Sequence, residues 1–354
     1  MELPKNENIF KGRGAQIKPG NRFEKTFVDA ENTDGIDDYE TAIPKTNIFF
    51  ESPKGIVSRN DSPDLSWRYS INPYQGCEHG CVYCYARNSH EYWGFNAGMD
   101  FESKIVVKKN AAELLEKEFL KKTWKPATVM LSGNTDCYQP LEKRFGITRK
   151  LLEMFLKYQN PVGIITKNSL IKRDLDILSE LAKNNLVCVA VSITSVNEEL
   201  RRKMEPRTSS SLNRFSTIKI LADAGIPVMV MVAPIVPGLN DHEIPKIIQK
   251  SAEAGAIRAG YTTVRLNGQI GLVFKDWLSK SFPLRAEKVW NQIESLHGGN
   301  VNDSQWGRRM RGDGVMSESI ENLFHISVKK YMKDRTMSPL DTSKFRKGGN
   351  YSLF

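Results

Sequence analysis

Asn72-Pro-Tyr-Gln-Gly-Cys77-Glu-His-Gly-Cys81-Val-Tyr-Cys84-Tyr85 places three cysteines in the spacing C-x3-C-x2-C. Thiolates are soft ligands that select zinc or iron–sulfur clusters. A closed zinc site takes four ligands. Only three cysteines are close here, and Cys137 and Cys188 lie far along the chain. His79 or His90 would have to complete a zinc site. Three thiolates on a four-iron cluster instead leave one iron open to a chelating substrate or cofactor. Gly76 and Gly80 ease the turns that wrap a loop around such a group. The odd total of five cysteines and the polar start MELPKNENIF argue against a secreted disulfide framework.

Outward from this loop the pattern becomes regular. Residues 67–72 (WRYSIN) read as a strand leading into it. Residues 110–122 read as a helix with Asn110 as N-cap. Strands follow at 128–132, 162–166, 187–193 and 228–233, and another lies near 262–266. They are nearly continuous apolar runs, as expected of parallel strands covered on both faces. The intervening helices carry apolar residues three and four apart. Phe215, Ile218, Leu221 and Ala222 form one stripe, stopped by Gly225; Ile244, Ile247, Ile248 and Ala252 form another, stopped by Gly255. Right-handed strand–helix–strand crossovers are expected. The predicted class is α/β: a partial (βα)6 TIM-like barrel, with chemistry at the carboxyl ends of its strands. Residues 1–60 are expected as an extended, partly disordered arm, 61–275 as the barrel, 276–340 as a helical extension and 341–354 as a flexible tail. Helices are predicted at 284–297 and 317–333 within that extension.

Among 354 residues, 40% are hydrophobic and 26% charged, which excludes wholesale disorder and a fibrous fold. No apolar run approaches the ~18 residues of a membrane helix, so the expectation is a cytoplasmic protein with no membrane partner. The net charge of +10 suits polyanions such as nucleic acid, and equally a solubilising surface. Residues 329–349 hold seven Lys or Arg against two Asp, half of the excess.

The cysteine loop, with Tyr83 before its third cysteine, resembles that of the radical S-adenosylmethionine (SAM) enzymes. The longer string SINPYQGCEHGCVYCYAR, followed by MDFESKI, is similar to the spore-photoproduct-lyase-like branch and to a set of bacterial radical SAM proteins within it. The resemblance runs from about residue 60 to the end. It implies a barrel of the radical SAM type. It also implies that Cys77, Cys81 and Cys84 hold a 4Fe–4S cluster whose fourth iron is chelated by SAM. Reductive cleavage of SAM, by a reductant such as flavodoxin or ferredoxin, then produces a 5′-deoxyadenosyl radical that abstracts hydrogen from substrate.

The cofactor's ammonium, carboxylate, ribose and adenine need complementary groups at the strand ends. Ser132-Gly-Asn-Thr135-Asp136 follows one strand, Thr166-Lys167-Asn168 the next, and Ser192 closes VAVSIT. Asp136 suits the ammonium, Thr135 a hydrogen bond and Lys167 the carboxylate. A Ser-Asp pair, a Lys and a Ser bind SAM at matching places in spore photoproduct lyases, and the resemblance carries those roles to Thr135, Asp136, Lys167 and Ser192. Tyr83 is expected against the adenine. Read without the resemblance, an Asp after a strand is a turn or helix cap, and a Lys there is solvated. Arg207, in Glu205-Pro-Arg207-Thr208, and Arg265 are candidate substrate contacts; Arg207 could equally cap a loop.

The resemblance breaks at the cysteine that, in spore photoproduct lyases, returns a hydrogen atom to the product. Gly133 stands at that place, while Cys137 follows four residues later, as a candidate catalytic thiol or an ordinary loop cysteine. Cys188, Met229 and Met231 read as core. Gln305-Trp-Gly-Arg-Arg-Met-Arg311 is a basic loop whose arginines suit phosphates or solvent. The terminal Asn350-Tyr-Ser-Leu353-Phe354 resembles the bacterial sliding-clamp-binding pattern, with Leu353 and Phe354 as docking residues. The competing reading is a non-enzymatic zinc protein that binds nucleic acid through its basic surface.

Overall fold

The computed structural model describes residues 10–23 and 45–348. Within them the strands are β1 (Asn47–Glu51), β2 (Val57–Arg59), β3 (Tyr69–Ile71), β4 (Tyr74–Gln75), β5 (Lys104–Lys108), β6 (Val129–Leu131), β7 (Val162–Thr166), β8 (Val187–Ser192), β9 (Val228–Ile235) and β10 (Arg258–Thr263). Seven of them make one sheet, ordered β10-β9-β8-β7-β6-β3-β2. All of its neighbouring pairs are parallel except β2 with β3. The six parallel strands form an open, partial barrel, because β10 and β2 are edges that do not meet. This is the architecture expected from the apolar runs.

Helices cover the outer face. Gly225 (φ +74°) and Gly255 (φ +101°) lie just past Ser211–Asp223 and Ile244–Glu253, where a left-handed residue ends each helix. Asn197 and Ser210 cap their helices by accepting backbone N–H groups. Asn110 holds the N-cap position of Ala111–Leu120, but its side chain makes no capping bond. In β9, Val228, Val230 and Val232 are buried against the helices. Met229 and Met231 alternate with them and face the barrel interior, so Met231 walls a cavity instead of packing in the outer core.

Three features differ from expectation. The segment 1–60 is not uniformly an arm. Its residues 45–60 supply β1 and β2, while 10–23, without regular structure, packs Ala15 and Ile17 among Met99 and Val273. A second sheet, β1-β5-β4, stands beside the barrel. The last parallel strand lies earlier than 262–266, because Arg258 pairs with Met229 and the polar run RAGYTT hides the strand from hydropathy. Val264 and Leu266 extend beyond it, bonded to Ile235 and Val301 carbonyls. The C-terminal helices Ala286–Leu296 and Gly314–Tyr331 are present as read. No helix among the described residues is long and apolar enough to cross a membrane. Leu353 and Phe354 lie outside the described residues.

Candidate functional site

A cavity of about 280 Å³ opens at the carboxyl ends of the parallel strands. Ser132, Thr166, Ser192, Ala233 and Thr263, from five successive strands or their ends, contribute to its wall. Cys77, Cys81 and Cys84 close one side, and all three are free thiols. Burial pushes each thiol up, assisted by Asp136 at Cys77 and by Glu205 at Cys81, and opposed by Arg87 at Cys84.

The cysteine loop is held from behind by a network that hydropathy did not reveal. Glu102, in the quoted MDFESKI string, is fully buried. It accepts the backbone N–H groups of Gly14 (3.0 Å) and Ala15 (2.7 Å) and the Arg87 guanidinium (2.5 Å). Arg87 also donates to the Cys81 carbonyl at 2.9 Å and the Gly98 carbonyl at 2.9 Å. The backbone of Gly14 lies so close to Gly80 that a Cβ there would stand 1.7 Å from the Gly80 carbonyl oxygen. The N-terminal segment 10–23 therefore braces the loop between its first and second cysteines.

Across the cavity, Asp136 organises the ends of two strands. Its carboxylate accepts the Thr166 hydroxyl (2.8 Å) and the backbone N–H of Lys167 (2.8 Å), and it lies 3.4 Å from His79 Nδ1. His79 Nε2 is 3.2 Å from the Asn168 amide, so both ring nitrogens are engaged. Burial lowers the His79 pKa. Lys167 extends over the Tyr83 ring, 5.9 Å from its centre. Tyr83 donates to Glu205, which also accepts Thr194 (2.5 Å) and pairs with Arg214. Burial opposes ionisation of Glu205, but Arg214, Lys167 and these donors outweigh it and hold the carboxyl at about 2.

The structure gathers Tyr83, Thr135, Asp136, Lys167, Ser192 and Arg265 around the same cavity as the three cysteines. The Thr135 hydroxyl is spent on the Tyr74 carbonyl (2.6 Å), which fixes the loop. Two candidates are corrected. Cys137 does not line the cavity; it is fully buried in the main core, with its backbone bonded to Ser132 and Thr148. Chain direction explains this, since 136–139 turns inward after Asp136. Arg207 points away as well, pairing with Glu78 at 3.7 Å, while its N–H donates to the His79 carbonyl. It anchors the cysteine loop. Cavity residues missed in the sequence are Tyr85, which donates to the Gly133 carbonyl at 2.6 Å, Asn134, Met231 and Arg309. Only Arg309 carried a signal, as part of the basic loop.

The family model for the Radical SAM superfamily matches residues 71–250, just over half of the chain. The chain belongs to the Radical SAM superfamily. It is 37% identical over 221 residues to an uncharacterised protein of Mycobacterium tuberculosis, a match that spans 62% of this chain and 65% of that one. It is 26% identical over 209 residues to the radical SAM Nalpha-GlyT isomerase of Pseudomonas phage M6, covering 56% of this chain and 42% of the relative. Among solved structures, spore photoproduct lyase complexed with dinucleoside spore photoproduct is similar, with a TM-score of 0.54 and 17% identity. That similarity covers 80% of this chain and 79% of the other.

Radical SAM proteins are enzymes that use a 4Fe–4S cluster and SAM, and the donor set here fits both. Cys77 and Cys81, both buried, and the partly exposed Cys84 line one cavity, although among the described residues no three His, Cys, Asp or Glu side chains stand close enough to hold a single metal ion; cluster binding would replace the thiol protons that burial otherwise retains. Among the described residues, neither histidine is free to complete the zinc alternative. His79 is committed to Asp136 and Asn168. His90 is packed among Phe95 and Phe101, away from the cavity. Asp136 and Lys167 offer opposite charges to an amino acid's ammonium and carboxylate within reach of the thiols.

Proposed function

We propose that this protein holds a 4Fe–4S cluster on Cys77, Cys81 and Cys84 and acts on a nucleic-acid substrate by SAM-dependent hydrogen abstraction. The cofactor pair, when bound and reduced by a flavodoxin- or ferredoxin-like donor, supplies a 5′-deoxyadenosyl radical. The chain supplies geometry. Asp136 and Lys167 would orient the methionyl ammonium and carboxylate, and Tyr83, fixed by Glu205, would stand against the adenine. The Met231 side of the wall and Pro234 keep the chamber apolar. The observation that carries the reading is the convergence of three free thiols with this oppositely charged pair in one cavity.

Support for the substrate comes from the net charge of +10 and from arginines and aromatic rings at the cavity mouth. The shared fold accommodates a dinucleoside in the spore photoproduct lyase complex. Photoproduct repair itself is not proposed: Gly133 stands where a cysteine would be needed, and Cys137 is buried elsewhere.

Anaerobic reconstitution followed by chemical reduction with SAM tests the reading. About four irons and four sulfides per chain, with 5′-deoxyadenosine released, are expected. A colourless protein with one zinc and no SAM cleavage would overturn it.

A further inference from the structure

The cavity mouth carries a feature outside the 71–250 family core. Arg265 follows β10, and Arg309 lies on the 306–311 loop; both side chains line the cavity. Arg309 is held in place. Its guanidinium pairs with Asp64 and donates to Ser62 Oγ at 2.5 Å, and Asp64 also accepts the Gly307 N–H at 2.7 Å. The Met310 carbonyl accepts the Thr263 N–H at 3.0 Å, fastening the same loop to the end of β10. Arg265 makes no ion pair or hydrogen bond among the described residues. Two guanidiniums thus face the opening with one carboxylate between them, and that carboxylate is already engaged by Arg309 and Gly307. The other Asp and Lys of the wall, Asp136 and Lys167, are one of each sign and add no net charge.

Each arginine also stands beside an exposed ring. Arg265 is 6.0 Å from the centre of Tyr85, and Arg309 is 5.9 Å from the centre of Trp306. Tyr85 lines the cavity and is 47% exposed, and Trp306, on the same loop as Arg309, is 55% exposed. A guanidinium offers a planar fork for phosphate oxygens, and flat rings accept bases by stacking. An acidic peptide would use the forks but leave the rings idle. We propose that Arg265 and Arg309 form a phosphodiester seat at the cavity mouth, flanked by Tyr85 and Trp306, which holds a polynucleotide strand beside the reaction chamber. Asp64 is a positioning residue that latches the 306–311 loop and aims Arg309 at the seat.

This seat rests on the reading of the cavity as the reaction chamber, and its test is separable because binding needs no turnover. Fluorescence anisotropy of anaerobically reconstituted protein with fluorescein-labelled oligothymidylate measures it. Arg265→Gln is expected to weaken binding roughly 10- to 100-fold, the cost of one charge-assisted contact, and to flatten the slope of log affinity against log salt by about 0.7. Arg265→Lys should recover part of the affinity. Asp64→Asn should weaken binding without changing the formal charge of Arg309. Lys219→Gln, on the far helix Ser211–Asp223, makes the same charge change and should alter affinity by less than about twofold. Equal losses in Arg265→Gln and Lys219→Gln would overturn the seat by reducing it to a diffuse field. So would displacement of the strand by equimolar inorganic phosphate or thymidine monophosphate, which would identify a free-phosphate site. A protein that binds the strand but holds no cluster would leave the seat standing and remove only the radical reading.

Discussion

The hydroxyl of Tyr83 donates to the carboxylate of Glu205, 122 residues further along the chain, where both side chains are buried. The bond joins the aromatic residue of the cysteine loop to the segment after β8, and Arg214 neutralises the carboxylate. Tyr83 is thereby fixed in the cavity wall by tertiary contacts rather than by its own loop.

Removing that carboxylate strands a buried guanidinium. Glu205→Ala is expected to cost about 3–5 kcal/mol in urea unfolding at neutral pH. Glu205→Gln should lose less, because it can still accept from Tyr83. The pH dependence has a definite sign. The folded carboxyl is held at about 2 against 4.5 ordinarily, so its stabilisation is present above about 4.5 and is lost as pH falls toward 2. The wild type should lose stability more steeply than Glu205→Gln over that interval. Parallel curves would show that the pair contributes nothing.

Gly14→Ala should damage the cluster site from a distance. Its new methyl would meet the Gly80 carbonyl at 1.7 Å, and backbone must move to relieve it. Gly20→Ala, with nothing within 4 Å, is the control. Iron content after reconstitution should fall severalfold in the first and stay unchanged in the second. Equal iron in both would show that the N-terminal segment does not brace the loop.

Cys77→Ala, Cys81→Ala and Cys84→Ala should each prevent assembly of a normal 4Fe–4S cluster, read by iron, sulfide and electron paramagnetic resonance. Cys188→Ala and Cys137→Ala should retain it. Cys137→Ala should also keep SAM cleavage, since that thiol does not reach the cavity. Loss of substrate turnover in a stable Cys137→Ala protein with full SAM cleavage would restore a catalytic part for it.

Lys167→Ala should weaken SAM binding roughly 10- to 100-fold while sparing the cluster, the usual consequence of losing one charge-assisted bond. Equilibrium dialysis against labelled SAM measures it. Asp136→Asn is a less clean probe, because Asp136 also secures Thr166 and the Lys167 backbone. Unchanged affinity in Lys167→Ala would move the carboxylate site elsewhere.

His90 provides a second pH signature. Burial pushes its pKa down to about 4, although nearby Asp100 opposes the shift. The unfolded chain therefore binds a proton that the native state refuses between about 6.5 and 4, and stability should fall as pH drops through that window. His90→Phe, set among Phe95 and Phe101, should flatten this slope. An unaltered slope would assign the titration to another group.

The local order of the chain was legible in its sequence. Apolar runs at 162–166 and 187–193 mark parallel strands because both faces of each are covered, and Gly225 and Gly255 mark helix ends because their φ angles are positive. The cysteine spacing pointed to a metal-binding loop because the three candidate ligands are neighbours in the chain. Long-range convergence was not legible. Whether Cys137 or Arg207 faces the cavity depends on one turn of backbone, and no residue pattern records that turn. Glu102 gathering Gly14 and Arg87, Glu205 reaching Tyr83, and Asp64 latching Arg309 join residues 15 to 245 positions apart. Such contacts leave no periodicity behind. They exist because burying a charge or a backbone N–H requires a partner, and only the folded chain decides which one is near.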